Sequence, residues 1–384
     1  MHIGLLTTSY PRHAGDYAGS FVADRAQQLL SAGHSVEVLA AGDGDLVVDG
    51  RRAWADGCRA VDGRRPGSDG EPVVDGRVTI TRVPGGSQLF YGAGAPEALE
   101  QGGAAWISAL RFSTALAAAA RERASLWDAV ESHWLVPCAL AASASATWLP
   151  RRAYAHSGDV ALLERIPFGR ALARRLARDG TDLRFVSGEL HARFARLAGA
   201  STGTVEPLAV PTSLFRRRIG TDADLRRRLG LSAHTVLAVG RLVPIKGHDL
   251  LLRACARASA GASDLERPEV VILGDGPERE CLFRLAAARR VRLRLPGFVS
   301  RAEVANWLHA ADLYVQPSIR LPNGRAEGSP IATREALAIG IPVVATSDVV
   351  ALARAIRDHL AGLHDHTAGR REHLASRNET VNAV

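Results

Sequence analysis

Thr235-Val236-Leu237-Ala238-Val239-Gly240-Arg241-Leu242-Val243-Pro244-Ile245-Lys246-Gly247 opens on five apolar or β-branched residues and breaks into a loop bounded by glycines. Asp249–Ala258 then carries apolar residues at helical spacing. The stretch reads as strand, loop and helix. Downstream the unit recurs. Val270–Leu273 is a strand ending at Gly274-Asp275-Gly276-Pro277. Leu313-Tyr314-Val315 is another strand, Ile331–Ala338 a helix, and Pro342-Val343-Val344-Ala345 a strand. Upstream, Ile3–Leu6, the loop Pro11–Gly19, the helix Phe21–Ala32 and the strand Val36–Leu39 form a βαβ opening. Val78-Thr79-Ile80, the helix Ser108–Arg123 and short strands before His133, His156 and Ser187 continue it. Gly42–Gly86 has little periodicity and reads as a long loop or hairpin insertion.

Strands alternating with helices predict parallel sheets covered on both faces. A chain of 384 residues exceeds what one core usually holds. The alternation restarts after a charged stretch with two Arg triplets. The expected organisation is therefore α/β with two Rossmann-like domains, residues 1–214 and 232–384, facing across a cleft and joined by a surface linker over 215–231. Ligands in such sheets lie beyond the C-terminal strand ends.

Composition narrows the class. A hydrophobic fraction of 47% with 23% charged residues describes a globular protein. Cys58, Cys138, Cys255 and Cys281 form no C-x-x-C pair and no zinc spacing, which fits a reducing cytoplasm. The Met1–Leu6 opening lacks the basic region of a signal peptide, and no apolar run approaches the roughly 18 residues of a membrane span. A net charge of +8 favours anionic partners such as nucleotides, and admits peripheral contact with an anionic membrane. No basic stretch is interleaved with aromatics, so nucleic acid is not expected. Of 48 basic residues, 47 are arginine and Lys246 alone is lysine. An ammonium is a compact point charge and a guanidinium a planar fork, so Lys246 marks a position where the fork does not serve.

Two segments carry chemistry. In Glu327-Gly328-Ser329-Pro330, followed by Glu335-Ala336-Leu337-Ala338-Ile339-Gly340, Pro330 suits a first helical turn and Gly340 a helix end. The amides around Gly328, Ser329 and Pro330 then face outward as an anion site. Glu327 and Glu335 either accept hydrogen bonds from sugar and ribose hydroxyls, or serve as a helix cap and a surface residue. In the loop 240–247, Arg241 and Lys246 are suited to grip a diphosphate and offset its charge as it departs. No Asp-x-Asp pair stands at a strand end near these residues. Asp43 and Asp45 lie in the Gly-rich insertion, and neither a metal nor a cofactor is expected.

Together, Gly240-Arg241…Lys246-Gly247, Gly274-Asp275-Gly276-Pro277, Gly297-Phe298-Val299 and Glu327-x7-Glu335 resemble the donor half of the retaining GT-B glycosyltransferases of family 4, the group 1 glycosyltransferases. The match runs from about Thr235 to Thr346. The resemblance implies that Arg241 and Lys246 hold the donor diphosphate, Glu335 binds the ribose and Glu327 faces the transferred sugar. Gly274, Gly276, Phe298, Val299, Gly328, Ser329 and Pro330 would lie around the donor, with no metal required. Tyr10-Pro11…Gly19-Ser20-Phe21 is similar to the family's first loop, whose glycine, here Gly19, lets backbone approach the donor. His133-Trp134-Leu135 and His156-Ser157-Gly158-Asp159 resemble its two His-bearing strand ends. His156 would contact the transferred sugar, and His133 and Asp159 would lie on the sugar and acceptor side.

The expected function is retaining, metal-independent transfer of a sugar from a nucleoside-diphosphate sugar to the hydroxyl of a glycan, lipid-linked or small-molecule acceptor. Another GT-B nucleotide-sugar enzyme, an epimerase or hydrolase, is the alternative. An impaired nucleotide-sugar binder is a third reading. It rests on the segment after Thr346, which lacks the family's paired glycines and leaves only Arg370–Val384 for its closing helix.

Overall fold

The alternation of strand and helix builds two sheets. The computed structural model describes residues 1–13, 16–42, 47–48, 78–91, 98–99, 102–218, 222–231, 234–261 and 267–366. The chain divides into two units, Met1–Ala209 and Val210–Val384.

The first unit holds β1 (His2–Leu6), β2 (Ser35–Ala41), β3 (Val47–Val48), β4 (Val78–Val83), β5 (Ala129–His133), β6 (Arg151–Ala155), β7 (Asp182–Phe185) and β8 (Thr204–Val205). Their order is β3-β4-β2-β1-β5-β6-β7-β8. All neighbours are parallel except β3 and β4, which pair antiparallel. The second unit holds β9 (Thr235–Val239), β10 (Glu269–Leu273), β11 (Arg292–Gly297), β12 (Leu313–Gln316) and β13 (Val343–Ala345), in the order β11-β10-β9-β12-β13 and wholly parallel.

Side chains along β10 show how each sheet is buried. Val270 and Ile272 pack into one core with Leu251, Leu252 and Ile356, while Val271 and Leu273 pack into the other with Tyr314, Trp307 and Leu308. Successive residues of a strand point to opposite faces, so a continuous apolar strand needs cover on both sides. Both strand orders reverse at the unit's first strand, between β1 and β5 and between β9 and β12. Crevices for ligands form at such switch points. The loops after β1, β9 and β12 carry Gly19, Lys246 and Glu327, and His133 is the last residue of β5.

The stretch 215–231 is not a surface linker. Phe215, Leu225 and Leu231 are buried in the second unit's core, and the helix Asp222–Arg228 lies across it. Five of the six arginines in the two triplets are exposed, whereas Arg226 donates to the Ala310 carbonyl and to Asp312, and together they mask three apolar anchors in the sequence. Arg292-Leu293-Arg294-Leu295 forms an edge strand that the reading omitted, although its strict alternation is a strand signal. After Thr346 the helix Val349–His366 seats Leu352, Ala353 and Ile356 in the core. Asp43, Asp45, Cys58, most of the Gly42–Gly86 insertion and Arg370–Val384 lie outside the described residues. Among the described residues no helix is long and apolar enough to cross a membrane.

Candidate functional site

In the second unit the loop after β9 is folded around Lys246. Pro244–Lys246 forms one 3-10 turn, and Gly247, at φ 62°, starts the helix His248–Ala258. Ile319 N–H donates to the Ile245 carbonyl at 2.9 Å, tying this loop to the segment leaving β12. The Lys246 stem lies over Gly240, its Cε 2.8 Å from where a Cβ would stand on that glycine. Its Nζ reaches Glu327 Oε1 at 2.5 Å. Glu327 Oε2 accepts from Gln316 Nε2 at 3.1 Å and from the Ser318 hydroxyl. Gln316 Oε1 accepts in turn from the Tyr314 hydroxyl at 2.6 Å. Burial works to raise the Glu327 carboxyl, but the Lys246 ammonium and these hydrogen bonds outweigh it and hold it below the ordinary range. His248 is buried beside Lys246. Burial and then the ammonium push it down to about 4, leaving it neutral near pH 7.

Glu335 is not a surface residue. It is buried on the helix Ile331–Ile339 and accepts from Arg301, whose guanidinium lies 5.3 Å from the Phe215 ring centre. Burial, and then the charges of Glu327 and Glu335, push the Tyr314 hydroxyl well above its ordinary range. Pro330 is the N-cap and not the first helical residue. It has extended ψ 115°, and the helix begins at Ile331, as the Ile331–Ala338 reading has it. Gly340 closes the helix in the left-handed region as expected, at φ 84°.

Gly274 is a glycine for a packing reason. Its φ is 139°, and a Cβ would meet the Gly240 carbonyl oxygen at 2.0 Å. The Gly-Asp-Gly-Pro turn therefore presses on the Gly240–Leu242 backbone. Leu242 N–H donates to the Asp275 carbonyl at 2.9 Å, and the Gly276 amide donates to Asp275 Oδ1 at 2.8 Å. The Gly274 amide donates to Gly297 at 2.8 Å, aligning the ends of β10 and β11. Phe298 follows with half its surface exposed, and Val299 packs on the core. Arg241 is half-buried at the head of the loop, and Gly328 and Ser329 are half-buried between Glu327 and the helix.

In the first unit the site residues are deeper. Gly19 is the N-cap of the helix Ser20–Ser31 at φ 71°, and a Cβ there would lie 2.1 Å from the Ser9 carbonyl oxygen. Close packing of the first loop on itself is enough to require glycine at this position. His133 ends β5 and His156 follows β6, and both are buried. Their Nδ1 and Nε2 atoms are 3.4 Å apart. Phe21 and Trp134 cover the His156 ring at 5.0 and 4.5 Å between ring centres. Asp159 is committed to the backbone. It accepts from the amides of Leu135 at 2.7 Å, His156 at 3.2 Å and Val160 at 2.8 Å. Burial pushes its carboxyl up to about 7 against these donors. It fastens the two His-bearing turns together.

The structure therefore joins Lys246 to Glu327 and His133 to His156. Gln316, Ser318, His248 and Arg301 complete the second unit's cluster, and Arg25 and Glu131 the first's. Sequence reading missed all six. Gln316 left one signal, a polar residue at the end of an otherwise apolar strand. Among the described residues no group of three or more His, Cys, Asp or Glu is placed to hold a metal ion.

Comparison with known proteins bears on the same region. Residues 225–378 match the family profile described as glycosyl transferases group 1. TuaC of Bacillus subtilis, a glycosyltransferase named for teichuronic acid biosynthesis, is 29% identical over 241 residues, covering 62% of this chain and 57% of TuaC. A GDP-mannose-dependent α-(1-6)-phosphatidylinositol monomannoside mannosyltransferase of Mycobacterium tuberculosis is 35% identical over 189 residues, 47% of each chain. The chain spans about half the length of the curated relatives it matches. In architecture it is similar to sucrose-phosphate synthase from Thermosynechococcus elongatus, at TM-score 0.65 and 17% identity over 94% of this chain and 90% of that one. It is also similar to Anabaena HepE in complex with UDP and glucose, at TM-score 0.60 and 16% identity over 96% and 91%. Residues 225–378, all within the second unit, thus match the group 1 glycosyltransferase profile, and the two Rossmann-like sheets share the architecture of those solved structures.

Proposed function

We propose that this chain transfers a sugar from a nucleoside-diphosphate sugar to an acceptor hydroxyl, with retention at the anomeric carbon and without a metal ion. The observation that carries the reading is the Lys246–Glu327 pair at the switch point of the second sheet. Lys246 has three N–H donors and Glu327 engages one of them, so the others serve a diphosphate. Glu327 is itself held by Gln316 and Ser318, so the ammonium is aimed before the donor arrives. As the anomeric C–O bond breaks, negative charge grows on the leaving diphosphate. Lys246, Arg241 and the amides ahead of the helix Ile331–Ile339 are the groups proposed to stabilise it. The acceptor oxygen bonds to the anomeric carbon, and its proton passes to the departing phosphate oxygen. Glu335 is proposed to bind the ribose, exchanging part of its contact with Arg301 for hydroxyl donors.

The relatives point to donors worth testing. One is named for GDP-mannose, and one structural neighbour was solved with UDP and glucose. A panel of GDP- and UDP-sugars is assayed by mass spectrometry for turnover and by thermal unfolding for protection. Protection by at least one nucleoside diphosphate is expected, unchanged by EDTA. No protection by any member, or a strict need for Mg²⁺ or Mn²⁺, would overturn the corresponding part of the proposal.

A further inference from the structure

The first unit contains a polar chain that the reaction described above leaves unused. Arg25 donates from Nε and Nη2 to the two oxygens of Glu131, each at 2.7 Å. Glu131 Oε1 lies 3.5 Å from His133 Nε2, and His133 Nδ1 lies 3.4 Å from His156 Nε2. The His156 ring faces the Asp159 backbone N–H in a capping box, whose other half is the Asp159 carboxylate accepting from the His156 amide. Glu131, His133, His156 and Asp159 are all buried, and Tyr154 stacks on His133 at 5.1 Å between ring centres.

Hydrogens distribute along this chain in one way. The Asp159 N–H can only donate, so the His156 nitrogen nearer the backbone, Nδ1, carries no hydrogen. An imidazole keeps at least one, so His156 Nε2 carries it and points it at His133 Nδ1. His133 Nδ1 must accept and is therefore bare, which places the His133 hydrogen on Nε2. That nitrogen faces Glu131, which as a carboxylate only accepts. Each donor then faces an acceptor, His133 Nε2 at the long distance of 3.5 Å, and Arg25 balances the Glu131 charge at the end.

We infer that Glu131 and His133 are positioning residues that lock His156 as the neutral Nε2–H imidazole, so that His156 neither takes nor gives a proton in the reaction. Burial first, and His133 second, lower the affinity of His156 for a second proton, in keeping with this assignment. His156 then acts by where it stands, with its ring fixed between Phe21 and Trp134 at the end of β6. The consequence for catalysis rests on the glycosyl-transfer reading. The tautomer does not, and it is measured without any substrate.

The test is ¹⁵N–¹H correlation NMR of the full chain labelled at histidine, with the His156 signals identified by their loss in His156→Gln. Wild type is expected to show only the neutral Nε2–H form between about pH 5 and 8, where an ordinary histidine titrates. In His133→Asn the amide oxygen can stand in for Nδ1 as acceptor, so the signature should persist. In His133→Ala it should be lost to a mixture of tautomers or to a ring that titrates in this range. A wild-type His156 in the Nδ1–H form, a cationic His156 within the range, or an unchanged signature in His133→Ala would each overturn the inference. If His133→Ala does not fold, wild type and His133→Asn still decide it.

Discussion

The two candidate clusters solve different problems with similar residues. In the second unit Lys246 and Glu327 are only partly buried, and both stand on loops beyond strand ends. In the first unit Glu131, His133 and His156 lie within or just after strands, sealed by Phe21, Trp134 and Tyr154. The first arrangement leaves a cation with donors to spare, and in the second the Arg25 guanidinium is spent on both oxygens of Glu131. Partly exposed charge on a loop is suited to meeting a ligand, whereas buried and fully paired charge is suited to holding a shape. The two histidines stand at C-terminal strand ends, yet their burial and ring packing are those of the interior.

The largest effect is expected from substitutions at Lys246. Lys246→Ala removes the cation and leaves Glu327 without its partner. A loss of roughly 10²–10³-fold in kcat/KM is expected, as for removal of one preorganised electrostatic group. A silent Lys246→Ala in steady-state kinetics would remove the second cluster from the chemistry.

The matching test in the first unit reads stability. The folded Glu131 carboxyl is held down at about 2 against an ordinary 4.5, because Arg25 and His133 outweigh the burial that would raise it. The unfolded chain therefore binds this proton first as pH falls. The stabilisation, roughly 3 kcal/mol, is fully present above about pH 4.5 and is lost on the way down to about 2. Denaturant unfolding of wild type and Glu131→Gln should show a gap that narrows over that window. A gap independent of pH would mean that Glu131 stabilises by packing alone.

Lys246→Arg sharpens the contrast within the second unit. It keeps the charge but puts a planar fork where the stem lies pressed on Gly240. An approximately 10-fold loss in kcat/KM, about 1.4 kcal/mol, is expected. Full activity would show that the site reads charge and not shape. The smallest effect is expected at Arg217, which is exposed on the outward side of 215–231. Arg217→Lys should change stability by no more than about 0.5 kcal/mol and leave the kinetics unaltered.

Much of the second unit's cluster was legible because its residues occupy short loops between periodic segments. Glycine, proline and an isolated lysine stand out there against apolar strands. The linker reading failed for the opposite reason. Arg216–Arg218 and Arg226–Arg228 dominate the local composition, whereas Phe215, Leu225 and Leu231 decide where the segment sits. The strand Arg292–Gly297 was hidden because an edge strand exposes alternate residues and so carries arginine. Glu335 was left between two readings, since no local pattern places Arg301, 34 residues earlier, against it.

By itself the sequence determined two alternating α/β segments, the switch-point loops and the glycines that bound them, because periodicity and turn chemistry are local properties. Only the tertiary structure decided which charges meet. Arg25 reaches Glu131 across 106 residues, and Lys246 meets Glu327 through the reversal of strand order between β9 and β12. A buried carboxylate's partner is chosen by where the folded chain brings a cation, and spacing along the chain does not encode that distance.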